Sequence, residues 1–269
     1  MDMSQRRIRH NGVNGTYAIE NDVDASPGRN SHAVQATVDR HQATVPKKPK
    51  RSKMRIATWN FRTMYKTGKK QNVENEMGRL NVNVLGLSEV RWPVVGCVET
   101  RTGGGFIYSG SQTNERGVGV MLDKMMKKCL IGYWAVSDRV IVVRLKGIPF
   151  NICITQVYAP TSEHDEEEVD QFYSEVNQAR EQCKEHEVII MMGNLNATVG
   201  LGRTGNIVGP HGLGQRNERG DRFVDWCLEN EKVIANTWFS HHPRYLWTWK
   251  SPGDRARKPD RLYNNKREI

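Results

Sequence analysis

The sequence predicts an α/β protein from Met54 onward, and two observations support that prediction. Short apolar runs rich in β-branched residues alternate with polar, amphipathic stretches, which is typical of strands separated by helices and turns. The chain has 269 residues, of which 37% are hydrophobic, and its 7 Trp help to supply a sizeable core. We therefore expect one globular domain over residues 54–269.

The individual elements follow from the period of the apolar residues. The strand pattern occurs in Met54–Asn60, Val82–Glu89, Phe106–Ser109, Gly117–Leu122, Arg139–Leu145, Phe150–Tyr158, Val188–Met192, Val233–Asn236 and Tyr245–Trp249. The helical pattern, with apolar side chains on one face, occurs in Val73–Leu80, Glu166–Glu185 and Arg219–Asn230.

Residues 1–53 differ from the rest because they lack apolar periodicity and are rich in polar residues. Such a segment cannot bury enough surface to offset the entropy of ordering, so we predict a disordered basic tail. It holds 10 Lys and Arg against 5 Asp and Glu, a net charge of +5. The cluster Pro46–Lys53 at its end fits a nuclear import signal or a phosphate-binding segment, and equally a solvated linker.

The overall charge of +10 and the pI near 9.4 favour a polyanionic partner. No apolar stretch is long enough for a membrane helix, and the N-terminus lacks the apolar run of a signal peptide, so we expect no membrane association. The cysteines are odd in number and never spaced Cys-x-x-Cys, which predicts reduced thiols and no zinc site. They are Cys97, Cys129, Cys153, Cys183 and Cys227.

Polar and aromatic residues with possible chemical roles occur where predicted strands end, which is where a rigid sheet can hold side chains over a cleft. Each such site alone is more often a turn, a packed residue or a solvated charge. Their order along the chain is the informative feature. The motifs are Ala57-Thr58-Trp59-Asn60, Leu87-Ser88-Glu89-Val90-Arg91-Trp92, Gln156-Val157-Tyr158-Ala159-Pro160-Thr161, Gly193-Asn194-Leu195-Asn196-Ala197, and Leu246–Pro252 followed by Arg257-Lys258-Pro259-Asp260.

Together these motifs resemble the endonuclease/exonuclease/phosphatase (DNase I-like) superfamily, over about residues 54–263. Phrases such as Val233-Ile234-Ala235-Asn236-Thr237 and Thr248-Trp249-Lys250-Ser251-Pro252 are similar to the apurinic-like endonuclease of RTE-type (BovB-like) non-LTR retrotransposons and to the craniofacial development protein 2 family. The resemblance implies a four-layer α/β sandwich. Because the chain ends at Ile269, before the family's S-D-H motif, we expect the last strands to be missing.

The resemblance also implies roles for six residues. Asn60 and Glu89 match the residues that place Mg²⁺ or Mn²⁺, and no small-molecule cofactor beyond the metal is implied. Tyr158 and Asn196 match residues that contact the phosphate, and Asp260 would match the carboxylate that orients the family histidine. Asn194 stands where the family has the aspartate that orients or deprotonates the attacking water.

Two departures predict weak or absent hydrolysis. The Asn194 carboxamide has no titratable acceptor, and loss of general-base help alone costs about 10²- to 10⁴-fold. The histidine of S-D-H has no counterpart before Ile269.

Three functions therefore remain open, and cleavage of phosphoinositides, as in some superfamily relatives, is a further alternative that the retrotransposon-like phrases disfavour. The chain is a Mg²⁺-dependent DNA endonuclease, a non-catalytic DNA-binding protein of the nucleus, or a transposon fragment without a selected role. DNA binding would use the tail and basic residues on loops expected beside the cleft, namely Arg101, Arg116, Arg203, Arg216 and Lys250.

Overall fold

The computed structural model describes residues 53–60, 64 and 68–240, together with short strands at 16–18, 249–250, 257–258 and 261–265. The strands are β1 (Thr16–Ala18), β2 (Ile56–Asn60), β3 (Val84–Ser88), β4 (Val95–Glu99), β5 (Gly105–Ser109), β6 (Val118–Leu122), β7 (Leu130–Ala135), β8 (Val140–Leu145), β9 (Ile152–Tyr158), β10 (Val188–Asn194), β11 (Val233–Ile234), β12 (Trp249–Lys250), β13 (Arg257–Lys258) and β14 (Arg261–Asn265). The helices are α1 (Lys69–Arg79), α2 (Lys124–Lys128), α3 (Glu166–Glu181) and α4 (Glu218–Glu229), and a 3-10 turn covers Ala235–Thr237.

The strands form two main sheets. The larger has the order β1-β7-β8-β9-β10-β14-β11, and the smaller has the order β2-β3-β6-β5-β4. Only β2 with β3 and β9 with β10 run parallel; the other pairs within these sheets are antiparallel. The strands β12 and β13 form a separate ribbon.

The sheets pack face to face because both faces of their central strands are apolar. In β8, Ile141 and Val143 point into the core between the sheets, whereas Val140 and Val142 pack under α3 and α4. In β3, Val84 belongs to the core between the sheets and Leu85 to the layer under α1. The order is therefore helix, sheet, sheet, helix, which confirms the four-layer α/β prediction.

A small polar cluster crosses the core between the sheets. Gln156 of β9 donates from Nε2 to Ser88 Oγ of β3 at 3.0 Å, and Ser88 Oγ donates to the Val157 carbonyl at 3.2 Å. Gln156 and Ser88 are fully buried. Buried polar groups that satisfy one another fix the relative position of two layers more specifically than apolar contacts do. This cluster therefore sets the alignment of the two strand ends that carry the site.

The helix starts agree with the sequence. The Asp165 carboxylate accepts from the Glu168 backbone N–H at 2.9 Å and caps α3, and Asn217 caps α4 through Gly220 N–H at 2.9 Å. The predicted helix over Glu166–Glu185 ends earlier, at Glu181, and the predicted strand over Val233–Asn236 is only two residues long. None of the helices in the described part of the chain has both the length and the apolar character needed to cross a bilayer.

The expectation of reduced thiols is wrong for two of the five cysteines. The thiols were predicted to be reduced, but Cys153 on β9 and Cys183 after α3 are joined in a disulfide. The pair could not be predicted from the sequence, because only the packing of α3 on the sheet brings the two residues together.

Most of residues 1–53 and of the C-terminal segment lies outside the described residues, although β1 pairs with β7. The disordered basic tail and the missing last strands stay predictions.

A buried ion pair on the larger sheet predicts a pH dependence of stability. The Glu187 side chain is fully buried and accepts from Arg144 Nε at 2.7 Å and from the Lys184 N–H at 3.0 Å. Burial alone raises the Glu187 pKa, but these hydrogen bonds outweigh it and hold the pKa below its ordinary value. Its stabilising contribution is therefore complete above the unfolded-state pKa and is lost as pH falls through the folded-state pKa.

We expect Glu187→Gln to lower the free energy of unfolding at pH 7 by about 1–2 kcal/mol, because the bond to Arg144 is no longer charge-assisted and the single amide oxygen cannot also accept from the Lys184 N–H. Urea unfolding at a series of pH values from neutral to pH 3 measures the free energy of unfolding of the parent and of the variant. The parent should lose more stability on acidification than the variant does. Equal losses would show that Glu187 does not carry the linkage.

Candidate functional site

The predicted site residues meet at one end of the sandwich. The parallel pair β2/β3 ends with Asn60 beside Ser88, and the parallel pair β9/β10 ends with Tyr158 beside Asn194. Because the carboxyl ends of parallel strands share one edge, each sheet brings two strand ends to the site. The Gln156–Ser88 hydrogen bond then places the two edges side by side.

Glu89 lies directly after β3 with a left-handed backbone, φ 59°. Its Oε1 accepts from Asn60 Nδ2 at 2.7 Å, and its Oε2 accepts from Arg91 Nη2 at 3.0 Å. The Glu89 side chain is only 13% exposed. The two residues expected to place a metal are thus in direct contact, and Arg91, which lies in the same motif but had no predicted role, is their neighbour.

Tyr158 ends β9 next to Glu89. Burial raises the pKa of its hydroxyl, and the negative charge of Glu89 raises it further, while Arg139 and Arg91 partly offset the rise. The phenol therefore stays protonated at neutral pH. It can act as a hydrogen-bond donor to an anionic group.

Arg139 contacts both the backbone and the ring of Tyr158, and it was not predicted as a site residue. This buried arginine donates from Nη1 to the Tyr158 carbonyl at 3.1 Å, and its guanidinium carbon lies 5.5 Å from the centre of the Tyr158 ring. Its Nη2 donates to Glu168 Oε1 at 2.6 Å, and Arg116 pairs with the same oxygen. No local pattern marks Arg139, which in sequence only begins a strand.

Asn194 ends β10 and is buried. Its Oδ1 accepts from the backbone N–H of Asn196 at 3.1 Å, an Asx turn. The Asn196 backbone is left-handed, φ 47°, and its Nδ2 donates to the Ala159 carbonyl at 2.7 Å. The two asparagines thus tie β10 to the loop after β9. The side-chain oxygen of Asn194 is already engaged, which leaves its Nδ2 as the group that a water would meet.

Three of the remaining predicted residues are not among those that the structure describes at the site. Asp260 lies outside the described residues, although β14 begins at Arg261, whose backbone pairs with Asn194. The expectation that Arg101 lies beside the cleft is wrong, because the β4–β5 turn is at the opposite end of the smaller sheet from Ser88. The side chain of Lys250 is not described.

Arg116 lies just before β6 at the end of the smaller sheet that carries Ser88, whereas Arg203 and Arg216 lie on the long loop between β10 and α4. Arg116 pairs with Glu168, and the guanidinium carbon of Arg203 lies 5.2 Å from the centre of the Trp238 ring. Arg216 holds its own loop through Val199 O and Thr204 Oγ1. Each of the three guanidinium groups thus already has a partner within the protein.

The donor set fits a hard divalent cation. Among the described residues, no three His, Cys, Asp or Glu side chains cluster as a metal site. Mg²⁺ does not require such a cluster, since it commonly binds one or two carboxylates and completes its shell with water and substrate phosphate. The largely buried carboxylate of Glu89 and the adjacent side-chain amide of Asn60 supply oxygen ligands suited to Mg²⁺.

Known proteins resemble this chain in sequence and in fold. No family model matches the chain. Craniofacial development protein 2 of Tragulus javanicus is 40% identical over 204 residues, which cover 75% of this chain and 35% of that protein. The Bos taurus protein is also 40% identical over 204 residues and is covered to 34%. The match thus spans about a third of the length of these curated relatives.

Solved structures give the fold. The endonuclease domain of TRAS1, a telomere-specific non-LTR retrotransposon, has a TM-score of 0.55 at 12% identity, with 80% of this chain and 85% of that one covered. An AP endonuclease from Leishmania major has a TM-score of 0.54 at 12% identity, with 78% of each chain covered. An AP endonuclease from Archaeoglobus fulgidus has 0.52 at 14%, with 80% and 87% covered.

These solved structures show that the chain has the fold of endonuclease/exonuclease/phosphatase (DNase I-like) domains. Within that class its sequence is similar to craniofacial development protein 2, which confirms the resemblance read from the motifs.

Proposed function

We propose that this chain is a divalent-metal-dependent DNA endonuclease of low activity, using Mg²⁺ or Mn²⁺. The observation that supports this most directly is the contact of Asn60 with Glu89 at the strand ends that also carry Tyr158, Asn194 and Asn196. A nuclease-like fold in which these five residues were dispersed would not support hydrolysis.

Each residue has a role that its surroundings allow. Glu89 and Asn60 would hold the cation, which when bound neutralises charge on the phosphate and the departing oxygen. Tyr158 stays protonated and donates a hydrogen bond to the phosphate. Asn196 is held by Ala159 beside the same strand ends. The basic cluster Pro46–Lys53 supports phosphate binding and a nuclear location.

Asn194 favours a second candidate function, which is DNA binding without hydrolysis. The Asn194 side chain has no carboxylate to accept a proton from water. Its one oxygen, Oδ1, already accepts from the Asn196 N–H. In that case the cleft would bind DNA and cleave none of it.

A nicking assay on supercoiled plasmid separates the two candidates. We expect slow nicking with Mg²⁺ that stops with EDTA and that Glu89→Gln reduces to the EDTA level. The matched control is Glu99→Gln, because Glu99 is exposed at the opposite end of the smaller sheet and removal of its charge should leave the rate unchanged. Nicking that survives EDTA or Glu89→Gln would contradict the endonuclease proposal. Binding without any nicking would favour the second candidate.

A further inference from the structure

Arg91 is held rigidly beside the carboxylate proposed to bind the metal. Its backbone is left-handed, φ 57°, and its N–H donates to the Arg116 carbonyl at 2.8 Å. Val90 N–H donates to the Gly117 carbonyl at 3.0 Å, so the loop after β3 is fixed to the residues just before β6. This anchoring brings Arg91 Nη2 to 3.0 Å from Glu89 Oε2.

The guanidinium of Arg91 is incompletely paired. Its side chain is 41% exposed, yet its Nε is buried and has no hydrogen-bond partner within the described residues. Buried donors in folded proteins are normally satisfied. The buried Nε is out of reach of a ligand, but the partly exposed side chain keeps guanidinium donors beyond the one that Glu89 accepts.

Arg91 also conflicts with a metal at the same carboxylate. A divalent cation on Glu89 would lie within a few ångströms of a positive guanidinium, and like charges at that distance repel. The exposed part of Arg91 allows the side chain to turn away from Glu89 toward the cleft. The planar guanidinium is suited to a phosphate group, which it can bind through two parallel N–H donors.

We propose that Arg91 neutralises Glu89 in the metal-free site and contacts a nucleic-acid phosphate once a divalent cation is bound at Glu89. This inference rests on the proposed function, because it takes Glu89 as the metal ligand. It makes Arg91 a substrate-binding residue that also weakens metal binding in the absence of DNA. Metal and nucleic acid would then bind cooperatively.

Removal of the charge should have opposite effects on the two ligands. Arg91→Met keeps the apolar stem and removes the buried unpaired Nε, so the fold should be retained. Metal binding should tighten, because Glu89 no longer has a competing cation. Binding of DNA should weaken, because one phosphate contact is lost. A purely structural role for Arg91 would weaken both or neither.

The first measurement uses the full chain with Mn²⁺ alone and counts free Mn²⁺ by electron paramagnetic resonance. We expect Arg91→Met to tighten Mn²⁺ binding about tenfold, as expected for a neighbouring unit charge partly screened by solvent. The control is Arg79→Met, which removes an equal charge from an exposed arginine paired with Glu76 on α1. It should leave the Mn²⁺ affinity unchanged.

The second measurement uses a short fluorescent DNA duplex at saturating Mn²⁺, followed by anisotropy over a salt series. Arg91→Met should weaken binding about tenfold and reduce the log–log salt slope by about 1, the value for one lost phosphate contact. Arg79→Met should change neither. A salt slope equal to that of the parent would overturn the phosphate contact.

The outcomes separate this inference from the proposed function. If Glu89→Gln abolishes Mn²⁺ binding but Arg91→Met leaves it unchanged or weaker, the Arg91 inference fails and the metal site stands. If Glu89→Gln has no effect on Mn²⁺ binding, Glu89 is not the ligand and both fail.

Discussion

Replacing Asn194 with Asp alone should raise the rate of Mg²⁺-dependent plasmid nicking by much less than the about 10²- to 10⁴-fold that a positioned general base usually contributes. The family histidine is a second departure, and the effects of residues that act as a catalytic unit are not additive. The structure accommodates the change. The Asn194 Oδ1 that accepts from Asn196 N–H would be kept, and a carboxylate oxygen would replace Nδ2 at almost the same position. The site would thus gain an acceptor for the attacking water without losing the Asx turn that orders it.

The control for this gain is Asn81→Asp. Asn81 is exposed, has a left-handed backbone that Asp also tolerates, and precedes β3 at the end of the sheet away from Ser88. It adds the same charge without touching the site. The double variant Asn194→Asp with Glu89→Gln should lose the gain. An increase that persists in the double variant, or an equal increase in Asn81→Asp, would refute the assignment of Asn194 to the water-activating position.

Replacing Gly193 with Ala should destabilise the domain by about 4 kcal/mol or more, an exceptional value for one methyl group. Gly193 has φ 146°, and a Cβ at this position would lie 2.0 Å from the Val157 carbonyl oxygen. That atom belongs to the backbone of β9, which is hydrogen-bonded on both sides to β8 and β10 and cannot move away. The substitution must therefore push β9 and β10 away from each other at the site.

Thermal unfolding followed by circular dichroism measures this effect. For a domain of this size 1 kcal/mol corresponds to about 2–4 °C, so the midpoint should fall by about 10 °C or more. Gly78→Ala is the matched control, because Gly78 lies in α1 and a Cβ there meets nothing within 4 Å. It should raise stability by about 0.5–1 kcal/mol. A Gly193→Ala protein as stable as the parent would be incompatible with this β9–β10 pairing.

The strands with strong apolar patterns were predictable from sequence. β6, β8 and β9 are buried on both faces, so nearly every residue must be apolar or small and the pattern survives in the sequence. β4 and β7 were missed. β4 is an edge strand with exposed positions, and β7 contains Gly132 and the exposed Ile131, so neither needs a regular apolar pattern.

The candidate site was found only in part. Asn60, Glu89, Tyr158, Asn194 and Asn196 stand out because they end strands in a recurring order, and the structure brings them together. Arg139 with Glu168 escaped notice, since the two residues are 29 positions apart and meet only when α3 packs on the sheet. The roles of all these residues stay proposals.

The sequence by itself determined the α/β class and the strand ends that carry the polar residues, because periodicity and order are local properties of the chain. The tertiary structure alone decided which charges face one another. Arg91 against Glu89, Arg139 against Glu168 and Cys153 against Cys183 are contacts fixed by loop conformation and by the packing of layers. Such contacts depend on distances in space that spacing along the chain does not encode.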